Sequence, residues 1–212
     1  MDCKEPSYRE FVNFRSRTNP CVADLAQHLG RGPGNASTIV ILEYSCDRQS
    51  PPNPLRVTEA DLAKLVDVTS TACGRVLFVE NLRPQLISLL GETLDVDPIF
   101  FAGHITTDFE DIEKAPPPPS LAFCPSQIAE KGYLHIHYQQ AIYLGSADTF
   151  RGSEYALKTD SNIPRNVRRL PHLSGQQLAL ARACCSVLVK RLKSSWICKS
   201  HLEAHWSYRS CL

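Results

Sequence analysis

His135 and His137 stand two residues apart in the run Tyr133-Leu134-His135-Ile136-His137-Tyr138-Gln139. In an extended chain alternate side chains share a face, so both imidazoles would project together, beside Tyr133 and Gln139. Two ring nitrogens on one face can begin a zinc or copper site, but such a site needs a third and fourth ligand. No cysteine or carboxylate stands at a recognisable ligand spacing. A half-buried polar strand face, with Leu134, Ile136 and Tyr138 toward the core, accounts for the pattern without a metal. A second oxygen-rich grouping comprises Glu92, Asp95, Asp97, Asp108, Glu110, Asp111 and Glu113. Carboxylates of this kind suit hard cations such as Mg²⁺, which makes Asp95 and Asp97 metal candidates alongside His135 and His137. The simpler role for Asp95 and Asp97 is at helix ends, with Asp97 favourably placed ahead of a first helical turn.

Charge of the opposite sign gathers downstream. From Ser161 to Leu202 the chain carries Arg165, Arg168, Arg169, Arg182, Lys190, Arg191, Lys193 and Lys199, with no Asp or Glu among them. Arg165, Arg168, Arg169, Lys190, Arg191 and Lys193 are read as a basic surface, suited to phosphate, to acidic lipid or to the acidic segment itself. A solvated basic helix face explains the run equally well. For nucleophilic catalysis there is no Gly-x-Ser-x-Gly elbow and no cysteine motif with a histidine nearby. His104, after Gly103, is read as an imidazole capping a helix C-terminus, where positive charge is favoured. With no base–nucleophile pairing to assemble, the chain is not expected to be an enzyme and no cofactor is implied. Gly30-Arg31-Gly32-Pro33-Gly34 lacks the Lys-Ser/Thr that a phosphate-cradling loop requires and reads as a turn.

The elements that must hold these groups centre on Gly74 to Ile105. Val76-Leu77-Phe78-Val79, between Gly74 and Asn81, reads as a buried strand. Pro84 suits a helix's first turn, and Leu86, Leu89, Leu90 and Leu94 give that helix an apolar face. Asp97-Pro98 opens a second short helix carrying Ile99, Phe100 and Phe101. Before this unit, residues 1–19 read as a flexible arm. A short helix from Pro20 carries Val22, Leu25, Ala26 and Leu29 and stops at Gly30. Thr38 to Tyr44 is a β-branched strand, residues 45–56 a Pro-rich loop, and Thr58 with Asp61 the start of a helix burying Leu62, Leu65, Val66 and Val68.

After the unit, residues 106–132 read as irregular, with Pro116–Pro119 an extended spacer. Gly132 to Gly145 returns as a strand or strand pair. Residues 146–171 show little apolar pattern. Ser174 and Gln177 then resemble a capping box opening a helix to Trp196, with Leu178, Cys185, Leu188, Leu192 and Trp196 along one face. That stripe is too long for a small domain to cover and is read as an interaction surface. The domain scheme is an arm at 1–19, an α/β domain at 20–172 with a Pro-rich loop at 115–119, a C-terminal helix at 173–197 and an unpatterned tail at 198–212.

Composition is that of an ordinary globular protein, with 212 residues, 43% apolar, 21% charged and a mean hydropathy of −0.20. That is enough chain for a real core, and a net charge of +1 gives no global reason to expect nucleic acid. The N-terminus lacks an apolar signal region, and no run approaches the about 18 apolar residues of a spanning helix. Nine cysteines without a Cys-x-x-Cys read as reduced, cytosolic thiols. Asn35-Ala36-Ser37 matches the glycosylation pattern, which carries no weight without secretion.

The order of strand, amphipathic helix and Leu94-Asp95-Val96-Asp97-Pro98-Ile99-Phe100-Phe101-Ala102-Gly103-His104 resembles the cytoplasmic N-terminal domain of CorA-like divalent-cation transporters, and among them the filamentous-fungal branch. The Tyr133–Gln139 strand is similar to that branch too, as is the segment from Leu178 to Trp196 with Arg182, Val187, Lys190 and Arg191. The resemblance spans Ile39 to Ile197. The family's membrane helix ending in Gly-Met-Asn has no counterpart, and the sole methionine is Met1. The resemblance implies an α/β fold, a mixed sheet flanked by helices that runs into a long amphipathic helix packed by neighbouring subunits. It also implies Mg²⁺ bound between protomers, though no residue here matches those ligands one for one. The expected function is therefore a pore-less, cytoplasmic CorA-like domain, a cation-sensing or protein-interaction remnant. It would self-associate or bind full-length relatives, through which it could lie peripheral to a membrane. The alternative is an accessory protein of a fungal secondary-metabolite gene cluster, an enzyme of unrecognised type. The tail after Trp196, which departs from the family, reads as an early end to the chain or as a reading frame run into non-coding sequence.

Overall fold

In the computed structural model, residues 6–45, 51–52, 54–65, 72–106, 130–146, 156–191 and 196–201 are described. The central unit forms where its apolar spacing predicts. Strand β3 (Ala72–Glu80) buries Leu77 and Val79 on alternate positions, and Asn81 turns the chain in the left-handed region at φ 55°. Helix α4 (Pro84–Leu94) begins on its proline and buries Leu86, Ile87, Leu90 and Leu94. Asp95, left-handed at φ 47°, ends it. Asp97 then caps helix α5 (Pro98–Ile105), its carboxylate accepting from the Ile99 N–H at 2.9 Å. Phe100 and Phe101 are fully buried and pack edge to face.

The remaining elements complete an α/β architecture. Helix α1 (Tyr8–Ser16), a 3₁₀ turn (Pro20–Val22), helix α2 (Ala23–Leu29) and strand β1 (Thr38–Ser45) precede strand β2 (Pro54–Val57) and helix α3 (Glu59–Leu65). After α5 come strands β4 (Tyr133–Ser146), β5 (Ala156–Lys158), β6 (Asn166–Arg169), β7 (Gln176–Arg191) and β8 (Trp196–His201). The eight strands form one mixed sheet in the order β2-β1-β3-β8-β7-β6-β5, with β4 also on β7. Only β3 and β8 run parallel; the other pairs are antiparallel. Because β4 lies along one edge of β7 from Gln176 to Leu188, β6 and β8 share the other. The main core joins Val12, Leu25 and Leu62 of the helices, with α4 and α5, to Ile39, Ile41, Leu77, Val79 and Leu188 of the strands. A smaller cluster of Leu144, Val167, Ala179 and Ala181 lies at the other end of β7.

Five expectations are corrected. Among the described residues of 173–197 the expected C-terminal helix is absent; from Gln176 on they belong to β7 and β8, and β8 takes in residues 198–201 of the expected unpatterned tail. Ser174 and Gly175, at φ 51° and 75°, form a two-residue hairpin turn instead of a cap. Leu173 and Gln176 exchange both backbone hydrogen bonds across it at 2.9 Å. Positive φ at both turn positions is what a tight hairpin needs, and glycine supplies it at no steric cost. The Leu/Ala composition of β7 favours a helix in isolation, but pairing along both edges outweighs that weak preference.

Within the arm expected at 1–19, Tyr8–Ser16 is instead a docked helix. Ser7 and Glu10 form the capping box that starts α1, a Ser-x-x-Glu signal present in the sequence. The backbone N–H of Tyr8 donates to Glu92 at 2.9 Å, and its hydroxyl donates to the Val96 carbonyl at 3.0 Å. Its ring lies so close to Gly91 that an added Cβ there would sit 2.5 Å from it. Residues 146–171 contribute β5 and β6, and the loop expected at 45–56 ends in β2. The Pro-rich loop at 115–119, Asp108, Glu110, Asp111, Glu113, Val66, Val68 and the tail beyond His201 lie outside the described residues.

Candidate functional site

The two histidines chosen from the sequence do different jobs. On β4, His135 faces the helix layer and stacks on Phe100 of α5, with ring centroids 5.4 Å apart, while Ile136 and Tyr138, expected toward the core, are exposed. Directly across the ladder on β7 is Ser186. The Ser186 hydroxyl lies 2.6 Å from Nδ1 of His135 and 2.8 Å from Nδ1 of His104, which reaches it from the last turn of α5. One hydroxyl thus joins three elements. Having a single hydrogen, Ser186 donates to only one ring, and the other ring must carry its proton on Nδ1 and donate to the hydroxyl oxygen. The Cys184 thiol is 3.5 Å from the same oxygen. Ser186 is fully buried and His104 is 1% exposed.

Gly103 makes this grouping possible. A Cβ at that position would stand 2.7 Å from Nε2 of His135. That nitrogen is buried with no hydrogen-bond partner. Burial pushes the His135 pKa from 6.5 down to about 4, and neighbouring His137 pushes the same way. His137 is exposed and its ring centroid is 6.5 Å from that of His135. Its pKa is also lowered, first by partial burial and then by Arg182 and Arg165.

Among the described residues Arg165 is the largest fully buried side chain, 1% exposed. Its guanidinium donates to the carbonyls of His104 at 2.9 Å and Ile105 at 3.3 Å, closing the end of α5. Carbonyls at a helix C-terminus need such donors, and a cation suits the dipole there. Arg165 therefore does the capping that the sequence assigns to His104, while the His104 ring turns to Ser186. This corrects both the surface role of Arg165 and the capping role of His104.

The other candidates disperse. The Asp95 side chain is fully exposed and pairs with Lys190 at 3.3 Å. Asp97 caps α5 and pairs with Arg15 at 3.1 Å. Among the described residues no three His, Cys, Asp or Glu side chains come together as a metal would need. Among those residues neither Asp95 and Asp97 nor His135 and His137 join a ligand set.

The expected apolar stripe is divided between the two sheet faces. Leu188 is buried beneath the helix layer, while Cys185 and Leu178 are half-buried. Leu192 and the side chain of Trp196 lie outside what is described. The basic surface also splits. Arg168 is exposed, Arg169 donates to Gln177 at 3.1 Å, and Lys190 is taken by Asp95. Lys193 and the side chain of Arg191 are not among the described groups. Cys21 and Cys198 are free thiols.

Sequence reasoning missed Ser186 and His28. His28, on α2, is 1% exposed and neither ring nitrogen has a partner. The signal for Ser186 was its register opposite His135, which shows only once β7 is read as a strand. His28 stands three residues after Leu25 and beside Leu29, in phase with the buried face of its helix. Among the described residues, no helix is long and apolar enough to cross a membrane. Compared with known proteins, the chain matches no family model and no curated protein.

Proposed function

We propose that this chain is a soluble, pore-less domain related to the cytoplasmic part of CorA-like divalent-cation transporters, acting by binding and not by catalysis or transport. One observation supports the reading. Two of the segments that carry the resemblance, Leu94–His104 and Tyr133–Gln139, pack directly on one another. Phe100 lies 5.5 Å from Tyr133 and 5.4 Å from His135, centroid to centroid. Segments that resemble one family and pack as one block are consistent with a common ancestor. The partners in this reading are further copies of the chain or full-length relatives, with Mg²⁺ as the cation sensed and the cytoplasm as the compartment.

The test is to reconstitute the chain in vesicles holding a Mg²⁺-sensitive dye and to follow its sedimentation with and without Mg²⁺. No influx above empty vesicles, together with Mg²⁺-dependent association, is the expected result. Influx would overturn the pore-less reading, and a Mg²⁺-indifferent monomer would overturn the sensing one.

A second reading, an accessory protein with its own enzymatic activity, has one observation in its favour, the Ser186 hydroxyl held between two imidazoles. An enzymatic Ser186 must react with a serine-directed fluorophosphonate, and an unmodified Ser186 in folded protein would remove that reading.

A further inference from the structure

His28 is buried and His135 half-buried, and each has buried ring nitrogens without the hydrogen bonds that such groups ordinarily make. His28 lacks a partner at both ring nitrogens, and His135 lacks one at Nε2. Both stand at the footing of the helix layer, where α2 packs on α5 and α5 packs on β4 and β7. The charged neighbours that bear on His28 are Arg31, just beyond its own helix, and Arg165 before β6. Those around His135 are His137 on its own strand, His104 from α5 through Ser186, and, farther off through His137, Arg182 and Arg165. Tyr133 and the Cys184 thiol are the remaining titratable groups in this cluster. A proton added to either ring therefore meets apolar surface and cations.

We propose that α2 and α5 form an acid-released layer, in which protonation of His28 and His135 lifts the two helices from the sheet and exposes the core around Phe100 and Phe101. The Ser186 bridge sharpens the effect. With both imidazoles donating from Nδ1, the hydroxyl must accept twice and turn its own hydrogen away, toward Cys184. Burial holds both rings near a pKa of about 4, against an ordinary 6.5. Above 6.5 both rings are neutral whether the layer is open or closed, and it stays closed. As pH falls from 6.5 toward 4, the open form takes up protons that the closed form refuses, so opening gains ground across that window.

Hydrogen exchange measured between pH 7.5 and 4.5, with a dye that reports exposed apolar surface, tests this. Amides of α2 and α5 are expected to lose protection, and dye binding to rise, at a higher pH than amides of β1 and β3. His28→Leu and His135→Phe should each move that midpoint about one pH unit lower, while exposed His172→Gln should leave it in place. Simultaneous loss of protection in helices and sheet, or a midpoint indifferent to both variants, would overturn the proposal. Should the variants fail to fold, ring titration of the unaltered protein by NMR decides. His28 and His135 must then titrate together with opening, and titration near 6.5 with the layer still closed sinks the idea.

Discussion

The β3–α4–α5 unit and the β4–β7 ladder contribute to the same core by different routes. In the first, caps, breakers and apolar spacing all lie within the segment they shape: Pro84 and Pro98 open helices, Asp97 caps one, and Asp95 ends another. In the second, the segment has few instructions of its own. Gln176–Arg191 is rich in Leu and Ala, yet it is a strand, because β4 lines one edge while β6 and β8 line the other. Agreement between local preference and tertiary need made the first region readable, and their conflict hid the second.

The sharpest way to break this comparison is Leu188→Glu. A helical C-terminus would carry Leu188 on an exposed stripe, where a charge would improve solubility. As a strand residue beneath the helix layer, 7% exposed, it should instead cost about 5 kcal/mol or more, joining a lost core contact to a buried carboxylate. Urea unfolding should then find little or no folded protein, and a soluble, unchanged variant would return the segment to a helix.

Next comes Leu90→Ala in α4. Leu90 is fully buried, and such truncations cost about 2–5 kcal/mol; an unmoved urea midpoint would mean that the α4 face is wrong.

Gly103→Ala probes the contact between the two regions. The new Cβ would fall 2.7 Å from the His135 ring, so an overpacking cost of about 1–3 kcal/mol is expected. It should be smaller when combined with His135→Ala, and equal costs in both backgrounds would show that the ring is not the obstacle. Smallest is Lys190→Ala. Its partner Asp95 is fully exposed, and pairs of that kind contribute little, so the thermal midpoint should not move measurably.

The turn at Ser174-Gly175 shows how one misread dipeptide can propagate. Ser174 with Gln177 resembles a capping box, and Ser-Gly is also a hairpin turn; both are local readings, and only the pairing of Leu173 with Gln176 separates them. The alternation in β7 was nevertheless present. Gln177, Ala179, Ala181 and Ala183 are buried in turn, after which the buried phase passes to Cys184, Ser186 and Leu188. That change of phase disguises a period of two, because the first half of the strand faces the small core and the second half faces the helices. Ser7 and Glu10 were a plainer omission, since the capping box lies in four consecutive residues and needed no tertiary information.

By itself the sequence determined the elements whose signals are local. These include the β3–α4–α5 unit, the Pro20–Leu29 helical stretch, strand β1, the Thr58 start of α3, and the extended run bearing His135 and His137. Caps, prolines and periodic apolar residues act within a turn or two of themselves, so a linear reading reaches them. Tertiary structure alone decided that Gln176–Arg191 is a strand, and so that Ser186 meets His135 and His104. It also decided that Arg165 is an interior helix cap and not a surface cation. Each of those outcomes depends on a partner tens of residues away, and hydrogen bonds between such partners leave no spacing in the chain to read.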